Sequence, residues 1–218
     1  MQGVLPLETH ATLPDIGQDR CNKVLHMPQR NDAALDFLQT RRSRPAKTLI
    51  APAPSRDELM PLLTAAARTP DHGKLEPWRF IVVEQGAMGR LGDLTEAAGA
   101  RLGKSAEDIA KARSQFDLGQ LAVVVIEIQK SNPKIPPLEI TYSAGAVCLA
   151  LLNAALAAGW GANWLSGWMS HDRGFCEAAF DLAPNERIAG LIHIATEGSV
   201  PPERPRPDLE TITTWVDA

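Results

Sequence analysis

The amino-acid sequence predicts an α+β fold, because helical and strand patterns mix without the strict alternation that a parallel βαβ sheet requires. Strand patterns occupy 78–84, 121–128 and 188–195. The run at 121–128 is apolar almost throughout, which is typical of a strand at the centre of a sheet. A chain of 218 residues is long enough to bury a sizeable core, and one domain is the expected number.

The first half of the chain is predicted to be mainly helical around one strand. Asn31 is a favourable N-cap for a short helix over 33–38. Ser55 and Glu58 have capping-box spacing and open a second helix, which Pro70 ends. The remaining elements of this half are the strand and two polar, Ala-rich helices, at 78–84, about 87–102 and about 105–115.

The second half contains the most apolar helix, predicted between Thr141 and Ala158 with Gly159 at its C′ position. Asn153 interrupts the apolar run before 18 residues are reached, which favours a buried core helix over a membrane span. The other predicted elements are a short strand or loop, a helix and a strand, at 161–166, about 172–181 and 188–195.

Both ends of the chain are predicted to be extended. Residues 1–30 contain three prolines and no periodicity, so we expect a lead-in segment followed by a single domain over 31–218. Either Met27 is the true start, or this segment wraps a partner subunit. The Pro-rich stretch 201–207 must be extended and forms an arm that packs on the body or on another subunit. The arm ends in a short element with four apolar side chains, Leu209, Ile212, Trp215 and Val216.

Composition excludes several functional classes. The formal net charge is −4 with no long basic block, which argues against nucleic-acid binding through bulk charge. Three cysteines, widely spaced, suit neither a disulfide framework nor a metal site and favour a reducing cytoplasm. The first residues do not resemble a secretory signal.

Several nucleotide and hydrolase motifs are absent from the sequence. It contains no G-x-G-x-x-G after a strand, no G-x-x-x-x-G-K-[ST] and no G-x-S-x-G, so no Rossmann, P-loop or nucleophile-elbow site is indicated. The five histidines show no metal-ligand spacing.

Three segments could carry chemistry. Residues 41–44 place three arginines beside a serine, a set that suits a phosphate or carboxylate, although a basic turn complementing a helix dipole has the same pattern. Residues 68–80 form a polar loop bounded by two prolines, which could hold a ligand or merely face solvent. Residues 159–168 combine glycines with three tryptophans, which suit a flat aromatic ligand or a packed core.

On these segments the sequence resembles the FMN-dependent nitroreductase family, and within it a small subgroup with the pattern R-R-S … R-x-P-D-H … P-W-R-F. The three motifs fall at 41–43, 68–72 and 77–80, and residues 159–167 match a fourth. The resemblance covers about 31–198, with the motifs in the family's order.

The resemblance implies a nitroreductase-like fold, with a central, mostly antiparallel sheet flanked by helices and a C-terminal arm that packs on the partner subunit. It implies a cytoplasmic homodimer with FMN at the subunit interface. NAD(P)H is the implied electron donor, and a nitroaromatic, quinone or similar small molecule accepts the electrons in a ping-pong reaction. The flavin carries the chemistry, so neither a catalytic side chain nor a metal is implied, and neither nucleic acid nor a membrane is an expected partner.

Other tasks remain open at this point. The same flavin-binding fold could serve flavin breakdown, dehalogenation or azoline oxidation, or could hold FMN as a reservoir or sensor. Outside flavin chemistry, the arginines of 41–44 could form a small-anion-binding module.

The resemblance also implies specific ligand contacts. It assigns FMN binding to three groups: Arg41, Arg42 and Ser43; Arg68 and His72; and Trp164, Leu165 and Ser166. It assigns nicotinamide binding to Ala154, Ala155, Leu156, Ala157, Ala158 and Gly159, a stretch that the residues alone describe as core packing. The subgroup can carry an arginine in place of Leu165, and we hypothesise that Arg206 of the C-terminal arm replaces that lost cation.

Overall fold

The computed structural model describes residues 29–217, so the predicted lead-in, Met27 and Cys21 lie outside the described residues apart from positions 29 and 30. The described helices are α1 Asp32–Thr40, α2 Arg56–Ala66, α3 Gln85–Arg101, α4 Ala106–Asp117, α5 Pro137–Ala157, α6 Arg173–Phe180 and α7 Leu209–Ile212. The described strands are β1 Leu49–Ile50, β2 Trp78–Glu84, β3 Leu121–Ile128, β4 Gly161–Leu165 and β5 Glu186–Glu197.

The five strands form one sheet in which every pairing is antiparallel. Their order is β1-β5-β3-β2, and β4 pairs with β5 beside β1. Leu191 of β5 faces Val124 of β3 on one edge and Leu165 of β4 on the other, so β5 is hydrogen-bonded along both edges. The predicted α+β class with a central antiparallel sheet is confirmed.

Helices cover both faces of the sheet. Side chains of α2 and α5 pack on the face that carries Val123, Val125 and Ile192. Side chains of α3, α4 and α6 pack on the opposite face, which carries Val124 and Leu191. Because successive strand residues point to opposite faces, β3 is buried on both sides, as its continuous apolar run predicts.

The predicted helix ends are mostly confirmed by their caps. The Asn31 side chain accepts a hydrogen bond from Ala34 N, and Ser55 and Glu58 form the expected capping box. Gly159 follows α5 with a φ of 85°, the left-handed conformation that glycine adopts without strain. The segment at 161–166, left open between strand and loop, contains the strand β4.

Three elements differ from the prediction. Helix α5 begins at Pro137 rather than near Thr141, because proline suits the first turn of a helix, where its missing N–H has no intrahelical partner. Strand β5 extends beyond 188–195 at both ends. Strand β1 is only two residues long and has no detectable sequence pattern.

By length and composition alone, α5 is the one helix among the described residues that could cross a membrane. Its inner face packs on the sheet, with Val147, Cys148 and Leu151 buried. The outer face leaves Leu138, Tyr142 and Leu149 exposed.

An ion pair between a buried carboxylate and a half-exposed arginine fixes the start of α5 against the sheet. The Glu127 side chain in β3 accepts two hydrogen bonds from Arg187 in β5, at 2.7 and 2.8 Å, and a third from Thr141 Oγ1 at 3.0 Å. Gln129 also donates to this carboxylate. Burial alone would raise the pKa of Glu127, but the hydrogen bonds from Arg187, Gln129 and Thr141 outweigh it and lower the pKa. The carboxylate is therefore ionised at neutral pH.

We predict that Glu127→Gln lowers the free energy of unfolding by about 2 kcal/mol at pH 7, because Arg187 loses a charged, bidentate acceptor. The folded-state pKa of Glu127 lies below its unfolded value, so this stabilisation is present above the unfolded pKa and is lost as pH falls through the folded pKa. Urea unfolding at a series of pH values should show the difference from the native protein shrinking in acid. Glu84→Gln, at an exposed position in β2, is the control; an equal loss in that variant, or none in Glu127→Gln, would contradict the prediction.

Candidate functional site

The predicted basic segment leaves α1 as extended chain and is attached to β4. Helix α1 ends at Thr40, and Arg41 has a ψ of 141°, which turns the chain out of the helix. Arg44 N donates to Ala162 O at 2.8 Å, and Asn163 Nδ2 donates to Arg44 O at 2.7 Å. These two bonds fix the backbone of the segment, so the arginine side chains project from a defined position.

Four arginines lie close together here, and we call Arg41, Arg42, Arg44 and Arg206 the arginine cluster. Arg41 Nη2 donates to Ser43 Oγ at 3.0 Å, whereas its buried Nε has no hydrogen-bond partner within residues 29–217. Burial lowers the pKa of Arg41, and the positive charges of Arg206, Arg42 and Arg44 lower it further. An anion at this point would relieve the repulsion and satisfy the free donor.

Two carboxylates offset part of this charge. Glu197, at the end of β5, lies 2.7 Å from Arg44 Nε. Glu203 lies 2.9 Å from Arg206 Nη2 and 3.6 Å from Arg42 Nη1. The cluster therefore has two more positive than negative groups, in a chain whose net charge is −4.

A cavity of about 500 Å³ adjoins the cluster. It brings Arg41 and Arg42 together with Leu156 and Gly159 from the predicted nicotinamide-binding stretch. The rest of that stretch is divided: Ala155 is fully buried against the sheet, Ala154 packs beside it, and Ala157 and Ala158 are exposed. The remaining lining residues are Phe37, Thr40, Arg44, Trp160, Glu197, Val200, Pro201 and Glu203.

A second cavity, of about 530 Å³, lies between β4 and α4, and we call it the ring cleft. Apolar walls come from Leu165, Ala112, Leu118 and Trp168. The remaining lining residues are Pro45, Ala46, Lys47, Asp108, Lys111, Ser114, Gln115, Asn163, Ser166 and Gly167.

Two polar atoms of residues that line the ring cleft are buried without a hydrogen-bond partner in the described part of the chain. Trp168 Nε1 is a donor, and Gln115 Oε1 is an acceptor. Buried polar groups are rarely left unpaired, so these two indicate a ligand or water that supplies an acceptor and a donor. Apolar walls with a few convergent polar groups are typical of a pocket for a small molecule or cofactor.

Trp164 does not line the ring cleft, although Leu165 and Ser166 do. The alternation of side chains along β4 directs Trp164 to the other face of the sheet. There its indole lies against Gly190 of β5, where an added Cβ would come within 2.1 Å of Trp164 Nε1. Gly190 thus leaves the space that the indole occupies.

Arg68 and His72 lie elsewhere, at the loop between α2 and β2. His72 Nδ1 is 2.6 Å from Glu139 Oε2 in the first turn of α5, and both line a cavity of about 360 Å³. The loop itself is held by Ser143 Oγ, which donates to Pro70 O at 3.0 Å. Arg68 is exposed.

Apart from Trp164, the predicted FMN contacts therefore lie at three places in one chain: the arginine cluster, the ring cleft and the loop before β2. Glu139, beside His72, and Leu156, beside the arginine cluster, are 17 residues apart on α5, roughly 25 Å along the helix axis. Within one chain, His72 and Arg41 lie in different cavities.

Sequence reasoning missed several residues of these cavities. Gln115 lies on α4, an ordinary amphipathic helix, and only the packing of α4 against β4 brings it to the ring cleft. Glu197 and Glu203 lie in no recognisable sequence motif, so nothing in the sequence singled them out. Trp168 belongs to the tryptophan-rich segment; it lines the ring cleft and also packs against the core, so both interpretations of that segment stay open for this residue.

The other reactive groups in the described part of the chain show no sign of a separate site. Cys148 and Cys176 are buried and free, and burial raises the pKa of both thiols, that of Cys148 to about 12. Burial lowers the pKa of His193 to about 4, so it is neutral at pH 7. Within residues 29–217, no group of three potential ligands could hold a metal ion.

Comparison with known proteins gives a consistent result. The family model described as "Nitroreductase family" matches residues 38–196. A protein of Escherichia coli K12 named "Putative NAD(P)H nitroreductase YdjA" is 33% identical over 163 residues, which is 75% of this chain and 87% of that protein.

Solved structures share the fold. A nitroreductase-like family protein from Bacillus cereus superposes with a TM-score of 0.73 at 22% identity, covering 88% of this chain and all of that one. A protein from Desulfovibrio desulfuricans, described as "a putative nitroreductase in complex with fmn", gives a TM-score of 0.67 at 19% identity, and the match covers 87% of this chain and all of that one.

Proposed function

This chain belongs to the nitroreductase family, and on that premise we propose that it is an FMN-dependent NAD(P)H oxidoreductase that works as a homodimer. The proposed acceptor is a nitroaromatic, a quinone or a similar small molecule. The main support for the proposal is that one short segment, residues 41–47, contributes both to the arginine cluster and to the ring cleft. Arg41 and Arg42 line the first cavity, and Pro45 to Lys47 line the ring cleft.

The residues present fit FMN at both ends. The arginine cluster offers guanidinium donors, including the free Arg41 Nε, to the phosphate. The ring cleft offers apolar walls to the isoalloxazine, and Trp168 Nε1 and Gln115 Oε1 lack partners that the polar edge of the ring could provide. Ser43 lies in sequence between the residues that line the two cavities, and we propose that it contacts the ribityl chain.

FMN held by these residues would supply the redox chemistry, with NAD(P)H as electron donor and the small molecule as acceptor. The chain's own residues bind, orient and shield the ring. Leu165 and Trp168 line the ring cleft and would shield a bound ring from water where they contact it. No side chain is required as a general acid or base.

The dimer proposal rests on the separation along α5. Since His72 and Arg41 lie in different cavities of one chain, both could contact one FMN only if a second copy supplied His72 and Arg68. The exposed outer face of α5, with Leu138, Tyr142 and Leu149, offers an apolar surface for that copy.

The C-terminal arm supports the same arrangement. Its first part lies on its own chain, where Arg42 Nη1 donates to Pro202 O. Its last part exposes four apolar side chains, with Trp215 90% and Val216 85% exposed, which is costly unless another surface covers them. These side chains are Leu209, Ile212, Trp215 and Val216.

We place the protein in the cytoplasm. The two described cysteines are free, as in a reducing compartment, and NAD(P)H is a cytoplasmic reductant. The acidic net charge gives no reason to expect a nucleic acid as a partner.

The proposed activity predicts that the purified protein shows a flavin absorption band or acquires one with added FMN. Without oxygen, NADH or NADPH should bleach the band, and a nitroaromatic or quinone should restore it. A protein that binds no FMN, or whose flavin neither nicotinamide reduces, would contradict the proposal. Separate rates with NADH and NADPH measure the nicotinamide preference.

Arg206→Ala should weaken FMN binding about tenfold, because one charged donor to the phosphate is lost. Riboflavin, which lacks the phosphate, should bind equally to both forms. Arg204→Ala removes an exposed arginine from the same arm and is the matched control. Unchanged FMN affinity in Arg206→Ala, measured by fluorescence titration, would exclude Arg206 from the phosphate site.

Removal of residues 208–218 should weaken the dimer, because the exposed apolar side chains of the arm are lost. Sedimentation velocity over a range of concentrations measures the dissociation constant of the dimer. Replacing Thr213 and Thr214 with alanine, at exposed positions of the same segment, is the control. A truncated protein that dimerises as tightly as the full chain would show that the arm does not hold the two copies together.

A further inference from the structure

A carboxylate of the chain already occupies part of the arginine cluster. Glu203 Oε1 accepts from Arg206 at 2.9 Å (Nη2) and 3.1 Å (Nε), and lies 3.6 Å from Arg42 Nη1. The Nε and Nη2 atoms of arginine form the edge that binds a carboxylate or phosphate in bidentate fashion. Glu203 therefore takes up the donor edge that Arg206 would offer to an incoming anion.

Glu203 covers the cluster from the solvent side. Its side chain is 67% exposed, whereas that of Arg42 beneath it is only 19% exposed. A backbone hydrogen bond from Arg204 lowers the pKa of Glu203, and the charges of Arg206 and Arg42 lower it further. Its carboxylate is ionised at neutral pH and acts as an internal anion.

The second carboxylate of the cluster is held differently. Glu197 belongs to β5, where its backbone pairs with Leu49 of β1, so it has little freedom to leave Arg44. Glu203 lies in the irregular stretch between β5 and α7 and is attached through exposed contacts. Exposed ion pairs are weak, so a stronger anion can replace this one.

We propose that Glu203 is a specificity-determining residue of the FMN site, which sets how much a phosphate group adds to ligand affinity. The proposal rests on the proposed function. In the free chain, the carboxylate of Glu203 occupies the donor edge of Arg206 and lies 3.6 Å from Arg42 Nη1, which donates to Pro202 O. A phosphate monoester, with nearly two negative charges, displaces the carboxylate and pairs with both arginines. A ligand without a phosphate leaves Glu203 in place and gains nothing from the cluster.

Competition between Glu203 and a phosphate predicts the direction in which a substitution at Glu203 changes ligand affinity. Replacing Glu203 by the isosteric glutamine removes a negative charge beside the anion site and frees the donor edge of Arg206. Phosphate-bearing ligands should then bind more tightly, whereas ligands that reach only the ring cleft should not. The preference for FMN over riboflavin is thus expected to widen in Glu203→Gln.

The test compares Glu203→Gln with the native full-length protein, each stripped of flavin, by titration with FMN and with riboflavin. We expect FMN to bind about fivefold more tightly to Glu203→Gln and riboflavin to bind equally to both proteins. Glu210→Gln, at an exposed position on the same arm, is the matched control and should bind both flavins like the native protein. Equal or weaker FMN binding by Glu203→Gln, or an equal gain for both flavins, would overturn the proposal.

A second measurement separates this proposal from the proposed function. Inorganic phosphate, titrated in a thermal-unfolding assay without flavin, should raise the melting temperature more for Glu203→Gln than for the native protein. Native protein that binds no flavin would refute the proposed function, whereas the phosphate titration would still decide the role of Glu203. An equal phosphate response in both proteins would overturn the role of Glu203 even if FMN binds.

Discussion

Strand β5 is hydrogen-bonded along both edges, and the positions of the candidate site residues follow from that double pairing. One edge holds β3 at the centre of the core, and the other holds β4, whose Asn163 fixes the backbone of Arg44. The end of β5 supplies Glu197 as a counter-ion to Arg44, and the chain then continues into the arm that carries Arg206. A shift of one residue in the register of β5 would move Glu197 away from Arg44 and would turn core side chains to the wrong face of the sheet.

The arginine cluster, in contrast, destabilises the folded protein when no ligand is bound, because its positive charges repel one another. Four guanidinium groups with two carboxylates leave two positive charges in excess, and a phosphate monoester carries nearly two negative charges. The cost is tolerable because the segment is fixed by β4 and because Glu203 shields part of the charge. Charge balance and a rigid backbone together make this region suitable for a phosphate-bearing cofactor.

The sequence predicts the local features and leaves the long-range ones open. Some features depend only on residues that are neighbours in sequence, and the structure contains the three that we predicted: the apolar run of β3, the capping box at Ser55 and the C′ glycine at 159. The arginine motif and its expected partner Arg206 also lie close together. Gln115 and Glu203 could not be found in this way, because their importance depends on which distant segments pack beside them.

The prediction of one FMN site from motifs far apart in the chain illustrates the same limit. Residue spacing cannot tell whether two motifs meet within one copy or between two, since both arrangements satisfy the same pattern. Helix α5 is 21 residues long and holds the His72 loop and the arginine cluster towards opposite ends, so the two motifs do not meet within one chain.

That spacing along α5 has a genetic consequence under the proposed two-copy arrangement. Each site would draw Arg41 from one polypeptide and His72 from the other. In a cell that expresses two defective alleles, one lacking Arg41 and the other lacking His72, mixed dimers would contain one site with both defects and one site with neither. Two inactive genes could then restore activity together, whereas two alleles with the same defect could not.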